Sequence, residues 1–166
     1  MRPLLPLFAI TALTACAGGL FGASEDPPGG RNSEAEVRAF FESGIAAFNA
    51  HELNRFMAQF GADIRMYTPT GWVNGYAAVR ERFAETFARF PDVRMEVDSL
   101  EARRVADDVV VTEFRWRVYP MGQGPAFHGV GTGVYVLRGG DWEEVLEHET
   151  VTHVDEQLRQ PPPQRP

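Results

Sequence analysis

His148, near the C-terminus, has the residue type and the surroundings for acid or base chemistry. Simple strand alternation places it on one face with Trp142, Glu144, Leu146, Thr150 and Thr152. A mixed apolar and polar face suits a pocket wall, where an imidazole titrates near neutrality and can donate a hydrogen bond to a ligand oxygen. The alternative is a structural histidine that ties neighbouring strands, because no nucleophile lies near it in the sequence.

The acidic residues around His148 do not predict a metal site. Glu144 and His148 are four residues apart, which on a strand is about 13 Å, too far to share one ion. Adjacent carboxylates alone do not make a hydrolase either, so we interpret Glu143, Glu144, Glu147 and Glu149 as a solvated sheet surface. No phosphate-binding loop is present, and we expect neither a metal nor a cofactor.

The only cysteine, Cys16, follows a segment with the layout of an export signal. Residues 1–15 contain one early charge, then an apolar stretch and small residues, and they are too short to span a bilayer. The run Leu13-Thr14-Ala15-Cys16 resembles the lipobox of bacterial lipoproteins, which implies a signal peptide over 1–15 and a lipidated Cys16. By that resemblance, Ala17 favours the outer membrane in a Gram-negative host. The alternative is an ordinary secretory signal cut near Ala17.

Composition predicts a single folded domain between two tails. Residues 16–32 are rich in glycine and form a tether, residues 159–166 contain four prolines and form a disordered tail, and residues 33–158 form the domain. The formal charge of -7, spread without a basic block, argues against nucleic acid as a partner.

The elements within 33–158 change from helices to strands along the chain. A capping box at Ser33 and Glu36 predicts the start of a first helix, and Leu53, Phe56, Met57 and Phe60 predict a short second helix that stops at Gly61. A short strand around Ile64–Thr68 and a third helix from Tyr76 follow, and then four strands over 93–105, 109–119, 127–137 and 142–153. The fold class is therefore α+β, with three N-terminal helices packed on a strongly curved, mostly antiparallel sheet.

This order, together with local motifs, resembles the nuclear transport factor 2-like (NTF2-like) superfamily. The matching motifs are Tyr67-Thr68-Pro69, Gly75-Tyr76-Ala77-Ala78-Val79, and the run from Gly131 to Arg138, which contains Tyr135 and leads into Trp142 and His148. The resemblance covers about 33–155, and the superfamily includes SnoaL-like cyclases, ketosteroid isomerases and the association domain of calcium/calmodulin-dependent kinases. It implies a cone with a pocket between sheet and helices, and a homodimer formed through the outer sheet surface.

The resemblance also suggests roles for particular residues. Thr68 takes the position of the catalytic aspartate of ketosteroid isomerases, and a hydroxyl cannot replace that base without an activating partner. Arg115 matches an arginine that lines the pocket of kinase association domains and pairs with carboxylates there. Alternation leaves its direction open: if Phe114 and Trp116 point inward, Arg115 faces solvent. Gly129, Gly131 and Gly133 share one face, which leaves room for a ligand or permits curvature.

Three hypotheses follow for the function. The first is a lipid-anchored, periplasm-facing, dimeric domain that binds a small organic molecule, with a carboxylate among the expected ligands, through Thr68, Arg115, Tyr135 and His148. The second is a SnoaL-like isomerase, cyclase or hydratase in which His148 is the acid or base and Arg115 or Tyr67 orients the substrate. The third is an oligomerisation module without a ligand.

Overall fold

The structure is a computed structural model that describes residues 32–122 and 124–156. These residues belong to one compact unit that begins at Asn32. The predicted signal peptide, Cys16, nearly all of the tether and the proline-rich tail lie outside the described residues. None of the described helices is long and apolar enough to cross a membrane.

The three predicted helices are present, with differences at their ends. They are α1 (Ser33–Asn49), α2 (Leu53–Met57) and α3 (Tyr76–Arg89). The cap of α1 lies one residue earlier than predicted, because the Asn32 side chain accepts a hydrogen bond from the Ala35 amide at 3.1 Å. The second helix ends at Met57, and Phe60, which was expected in it, begins a strand.

Six strands form one mixed sheet in the order β2-β1-β6-β5-β4-β3. Their bounds are β1 (Phe60–Thr68), β2 (Gly71–Asn74), β3 (Val93–Ala106), β4 (Val109–Pro120), β5 (Ala126–Arg138) and β6 (Asp141–Asp155). The four long strands agree with the predicted segments to within about two residues. Strand β2 was not predicted, because Pro69 and Gly71 were interpreted only as a turn. All neighbours are antiparallel except β1 and β6, which are parallel.

The helices cover one face of the sheet, which we call the inner face. Helix α1 packs on β3, and α3 packs on β1. Asn49 fixes the end of α1 to β3, because its side chain donates to the Met95 carbonyl at 2.8 Å and accepts from the Met95 amide at 2.7 Å. Between helices and sheet lies a cluster of aromatic rings that includes Phe48, Phe56 and Phe83. Burial of this inner face is the main source of stability.

A β-bulge in β6 decides which of its residues face inward. Tyr135 pairs with Glu144 and Val134 pairs with Leu146, so that Val145 is the extra residue. Before the bulge Trp142 and Glu144 are buried, and after it the inward positions are odd-numbered, beginning with Glu147. One strand therefore presents residues three apart, Glu144 and Glu147, to the same side.

Candidate functional site

A cavity of about 190 Å³ lies between the helices and the inner face of the sheet. Aromatic and aliphatic side chains form most of its wall: Phe41, Ile45, Phe48, Phe56, Phe60, Phe83, Met95, Phe114, Trp116, Val118, Phe127 and Val151. The polar part of the wall consists of Gln59, Arg82, Thr86, Glu144, Glu147 and Glu149. The cavity is thus an aromatic chamber with a cluster of carboxyl groups on one side.

The carboxyl groups come from successive inward positions of β6. Glu144 and Glu147 are 3% and 8% exposed, and the side chain of Glu149 keeps 17% exposure. Their interpretation as a solvated surface is wrong for these three residues, because the bulge at Val145 turns Glu144 and Glu147 to the same side. Glu143 alone of the run follows the expectation, since its side chain is 36% exposed and faces Arg138.

Glycines on the neighbouring strand make room for these groups. Gly133 pairs with Glu147 and Gly131 with Glu149, while on the other side Gly131 pairs with Phe114. A methyl group at Gly133 would overlap the Glu144 carboxyl and the Thr112 hydroxyl, and one at Gly131 would overlap the Phe114 ring. The missing side chains of these glycines were expected to leave room for a ligand or to permit curvature. At these points the space is filled instead by side chains from β4 and β6.

Three residues of the cavity wall have a buried polar atom without a hydrogen-bond partner among the described residues: Glu144 Oε1, Trp116 Nε1 and Arg82 Nε. Tyr135 Oη and Thr112 Oγ1 are also unpaired, but these two residues do not line the cavity. An unpaired buried polar group costs free energy unless water or a ligand satisfies it. Such a concentration of unpaired groups beside one cavity marks it as the place where a polar ligand atom would be accommodated.

Burial changes the protonation of the carboxyl groups. It raises the pKa of Glu144 to about 8, which the neighbouring Tyr135 hydroxyl partly opposes and the charge of Glu149 reinforces. Burial and the negative charges of Glu144 and Glu149 raise the pKa of Glu147 well above its ordinary value. The pKa of Glu149 is raised by burial against the opposing charge of Arg82, whose guanidinium lies 3.8 Å away. Near neutrality the cluster therefore holds protons that it can donate or release.

Thr68 and Tyr135, two of the four predicted ligand-binding residues, are buried next to the cavity rather than in its wall. Thr68 donates a hydrogen bond to the Gly71 carbonyl at 3.0 Å and accepts one from the Thr70 amide at 3.3 Å, which closes the turn between β1 and β2. Tyr135 is fully buried, and burial together with the charge of Glu144 raises its pKa well above the ordinary value. Tyr135 therefore influences the site through its effect on the protonation of Glu144.

Arg115 and His148 lie on the opposite, outer face of the sheet. Phe114 and Trp116 point inward, so Arg115 is exposed, which is one of the two directions that alternation left open. His148 is exposed beside the Tyr67 ring, 5.4 Å away between centroids. The expectation that His148 shares a face with Trp142 and Glu144 is wrong, because the bulge lies between them. The structure does not bring these two residues to the cavity, and their roles in binding stay predictions.

The sequence contains a signal that predicts the carboxyl cluster, namely a break in the alternation of β6. Val145 and Leu146 are adjacent apolar residues within a strand that otherwise alternates, and such a break indicates a bulge. From Glu147 onward the alternation of Glu149 and Val151 with His148 is regular. Counting separately on the two sides of Val145 would have placed the three carboxyl groups together.

The cluster does not have the geometry of a metal centre. Among residues 32–122 and 124–156, no group of three or more histidine, cysteine or acidic side chains is arranged to hold a metal ion. What the site can do is hold a small organic molecule, exchange hydrogen bonds with it and transfer protons. A protonated buried carboxyl donates, and the same group accepts once it has ionised.

Known proteins with this architecture are numerous and diverse in sequence. A protein of unknown function from Pseudomonas putida KT2440 described as NTF2-like superposes with a TM-score of 0.66 at 18% identity, covering 71% of this chain and 85% of its own. The hexachlorocyclohexane dehydrochlorinase LinA-type3 from Novosphingobium barchaimii LL02 gives 0.66 at 15% identity, covering 78% and 94%. A putative calcium/calmodulin-dependent protein kinase type II association domain from Thiobacillus denitrificans ATCC 25259 gives 0.58 at 26% identity, covering 70% and 94%.

The sequence itself matches a family. No curated protein sequence matches the chain significantly. The model of the SnoaL-like domain family, however, matches residues 37–145, which include most of the elements that form the cavity. The structural neighbours place the same elements in the NTF2-like fold, which confirms both the α+β class and the resemblance noted in the sequence. The chain therefore belongs to the SnoaL-like domain family, and its fold is NTF2-like.

Proposed function

We propose that this protein binds a small organic molecule in the cavity between its helices and its sheet, as an exported and lipid-anchored domain. The observation that carries the proposal is the aromatic chamber with unpaired buried polar atoms on one side. Buried polar groups that lack partners are stabilised by a ligand that supplies them. An apolar cavity of about 150 Å³ can hold a benzene ring, so 190 Å³ suits a single ring with a short polar substituent.

Native mass spectrometry of the purified full-length chain tests binding. A small molecule that is present in the native mass and released on denaturation would support the proposal. The variant Val151→Phe fills the cavity from β6 and should lose that mass, whereas Val105→Phe, on an exposed position of β3, should keep it. The same molecule on both variants would place it outside the cavity and contradict the proposal.

The location of the protein rests on Cys16. Several acyl chains on this residue, at about 0.8 kcal/mol per buried CH₂ group, hold a protein on a membrane surface essentially permanently. We expect the wild-type chain to fractionate with membranes and Cys16→Ser to be released into the soluble fraction. Equal fractionation of the two would mean that the segment is not a lipoprotein signal.

A second candidate function is acid-base catalysis at Glu144. The specific observation is a buried carboxyl with a pKa of about 8 in the cavity wall, since a general acid or base works best when its pKa is near the working pH. This assigns to Glu144 the role that the sequence suggested for His148, which lies on the outer face. If the molecule recovered from the cavity is converted by the wild-type protein, Glu144→Gln should abolish turnover and retain binding. Unchanged turnover would exclude this role.

A further inference from the structure

The charges around the cavity are unbalanced. Glu144, Glu147 and Glu149 line it from β6, and Arg82 from α3 is the one basic residue that the described part of the chain contributes to its wall. Arg82 lies nearest Glu149, at 3.8 Å, and its side chain is 34% exposed. Glu144 and Glu147 form no ion pair within the described part of the chain, although both are almost completely buried.

We infer that the cavity selects an organic cation, a small aromatic or aliphatic amine whose ammonium group docks against Glu144 and Glu147. The inference rests on the proposed binding function and adds the chemical class of the ligand. An ammonium group in the cavity would lie against the carboxyl of Glu144, whose Oε1 has no hydrogen-bond partner among the described residues. The apolar remainder of such a molecule would lie against the rings of Phe114 and Trp116 in the cavity wall.

Other ligand classes fit the same walls less well. A carboxylate could pair with Arg82 Nε, which lacks a partner among the described residues, but it would enter beside three acidic side chains whose ionisation repels it. A neutral alcohol could form hydrogen bonds with protonated carboxyl groups but would gain nothing from their ionisation. The net charge of -7 over the whole chain also attracts cations and repels anions at a distance.

Binding of a cation to this cluster should release a proton. Burial raises the pKa of Glu144 to about 8, so this carboxyl is largely protonated at neutral pH, and an ammonium group favours its ionised form. The charged and titratable groups that face it are Glu147, Glu149, Arg82 and Tyr135. His148 acts on Glu149 from the outer face and lowers its pKa. Affinity for a cation should therefore increase from pH 6 to pH 8.

Isothermal titration of the full-length protein with benzylamine, benzyl alcohol and benzoate, which differ mainly in the polar group, tests the inference. The titrations are run at pH 7 in phosphate and in HEPES, whose tertiary amine carries a sulfonate, since a released proton makes the apparent enthalpy depend on the buffer. We expect benzylamine to bind about tenfold or more tightly than benzyl alcohol, benzoate not to bind, and protons to be released only with the amine. Glu144→Gln should remove the preference and the proton release, and Glu143→Gln, which removes a carboxylate outside the cavity, should retain both.

The outcomes separate this inference from the function on which it rests. Benzyl alcohol or benzoate binding as tightly as benzylamine, with loss of binding in Val151→Phe, would overturn the cation preference and leave a binding cavity. Amine binding that persists in Val151→Phe, or that releases no proton, would also overturn the inference. Absence of cavity binding by all three compounds at millimolar concentration, together with no molecule in the native mass, would contradict both.

Discussion

Glu144 combines features that are unfavourable for folding and useful for a site. Glu144 is 3% exposed, one of its carboxyl oxygens is unpaired among the described residues, and burial raises its pKa to about 8. Residues that only support a fold are seldom kept in this condition, because a buried hydrogen-bonded or apolar side chain is more stable there. We therefore regard this residue as the centre of the site.

The protonation of Glu144 predicts how stability depends on pH. A carboxyl with a pKa of about 8 when folded and 4.5 when unfolded binds its proton more tightly in the folded state. The free energy of unfolding should consequently fall as pH rises from 4.5 to 8, by about 5 kcal/mol at most for this group. Glu144→Gln retains the shape of the neutral form, so it should be more stable than the wild type at pH 9 and lose less stability between pH 5 and pH 9.

Urea unfolding at several pH values measures this effect. Glu143→Gln is the matched control, because it removes a neighbouring charge whose side chain is 36% exposed, and its curve should run parallel to that of the wild type. Parallel curves for Glu144→Gln and the wild type would mean that Glu144 ionises normally in the folded protein.

At the scale of elements, the cavity depends on three glycines in the central strand β5. Gly129, Gly131 and Gly133 leave three successive inner positions of β5 without side chains, and Trp116, Phe114 and Glu144 occupy the space above them. A strand of β-branched residues at these positions would pack more regularly but would displace the groups that form the cavity wall. The sequence indicated that these glycines share a face, whereas the identity of the neighbours depends on strand register.

Adding one methyl group to β5 should show that there is no space for side chains at these glycines. An alanine at Gly129 would overlap both the Trp116 indole and the backbone carbonyl of Thr150, and backbone cannot move aside cheaply. We expect Gly129→Ala to lower the free energy of unfolding by roughly 1–3 kcal/mol, as overpacking of a core does. Gly133→Ala should also be destabilising, because its methyl group would meet the hydroxyl of the buried Thr112 as well as the Glu144 carboxyl.

Chemical denaturation of the two variants beside Gly122→Ala provides the comparison. Gly122 is exposed, and among the described residues a methyl group there meets the Asp92 carboxylate alone, at 3.1 Å. The free energy of unfolding of Gly122→Ala should be close to that of the wild type. If Gly129→Ala is as stable as Gly122→Ala, then β5 is not closely covered by the side chains of β4.

The elements could be predicted from the sequence far better than the site could. Helical spacing and runs of β-branched residues located α1, α3 and the four long strands, because these signals are local. The parallel pairing of β1 with β6 is a tertiary contact that local periodicity does not report, whereas the bulge at Val145 leaves only a short break in the alternation of β6. Since a shift of one residue exchanges the two faces of a strand, this single bulge was enough to misplace His148 and the carboxyl cluster.

At the scale of the whole molecule, the two faces of the sheet are suited to different tasks. The inner face forms the cavity, and the outer face carries Arg115 and His148 together with the exposed side chains of Val130 and Tyr67. Homodimerisation through the outer face, which the superfamily resemblance implies, would leave the cavities of both copies intact. It would also bring Arg115 and His148 close to the partner subunit rather than to the ligand.

A substitution at the centre of the outer face can separate assembly from binding. Val130 is 42% exposed and pairs in register with Arg115 on one side and Thr150 on the other. Val130→Arg would place a second guanidinium beside Arg115, and the repulsion would be doubled where a two-fold axis brings two copies together. We expect sedimentation to show a dimer for the wild type and a monomer for Val130→Arg, with the cavity still binding its ligand. A wild-type monomer would contradict the homodimer that the resemblance implies, and loss of binding in the monomeric variant would mean that the cavity requires the partner subunit.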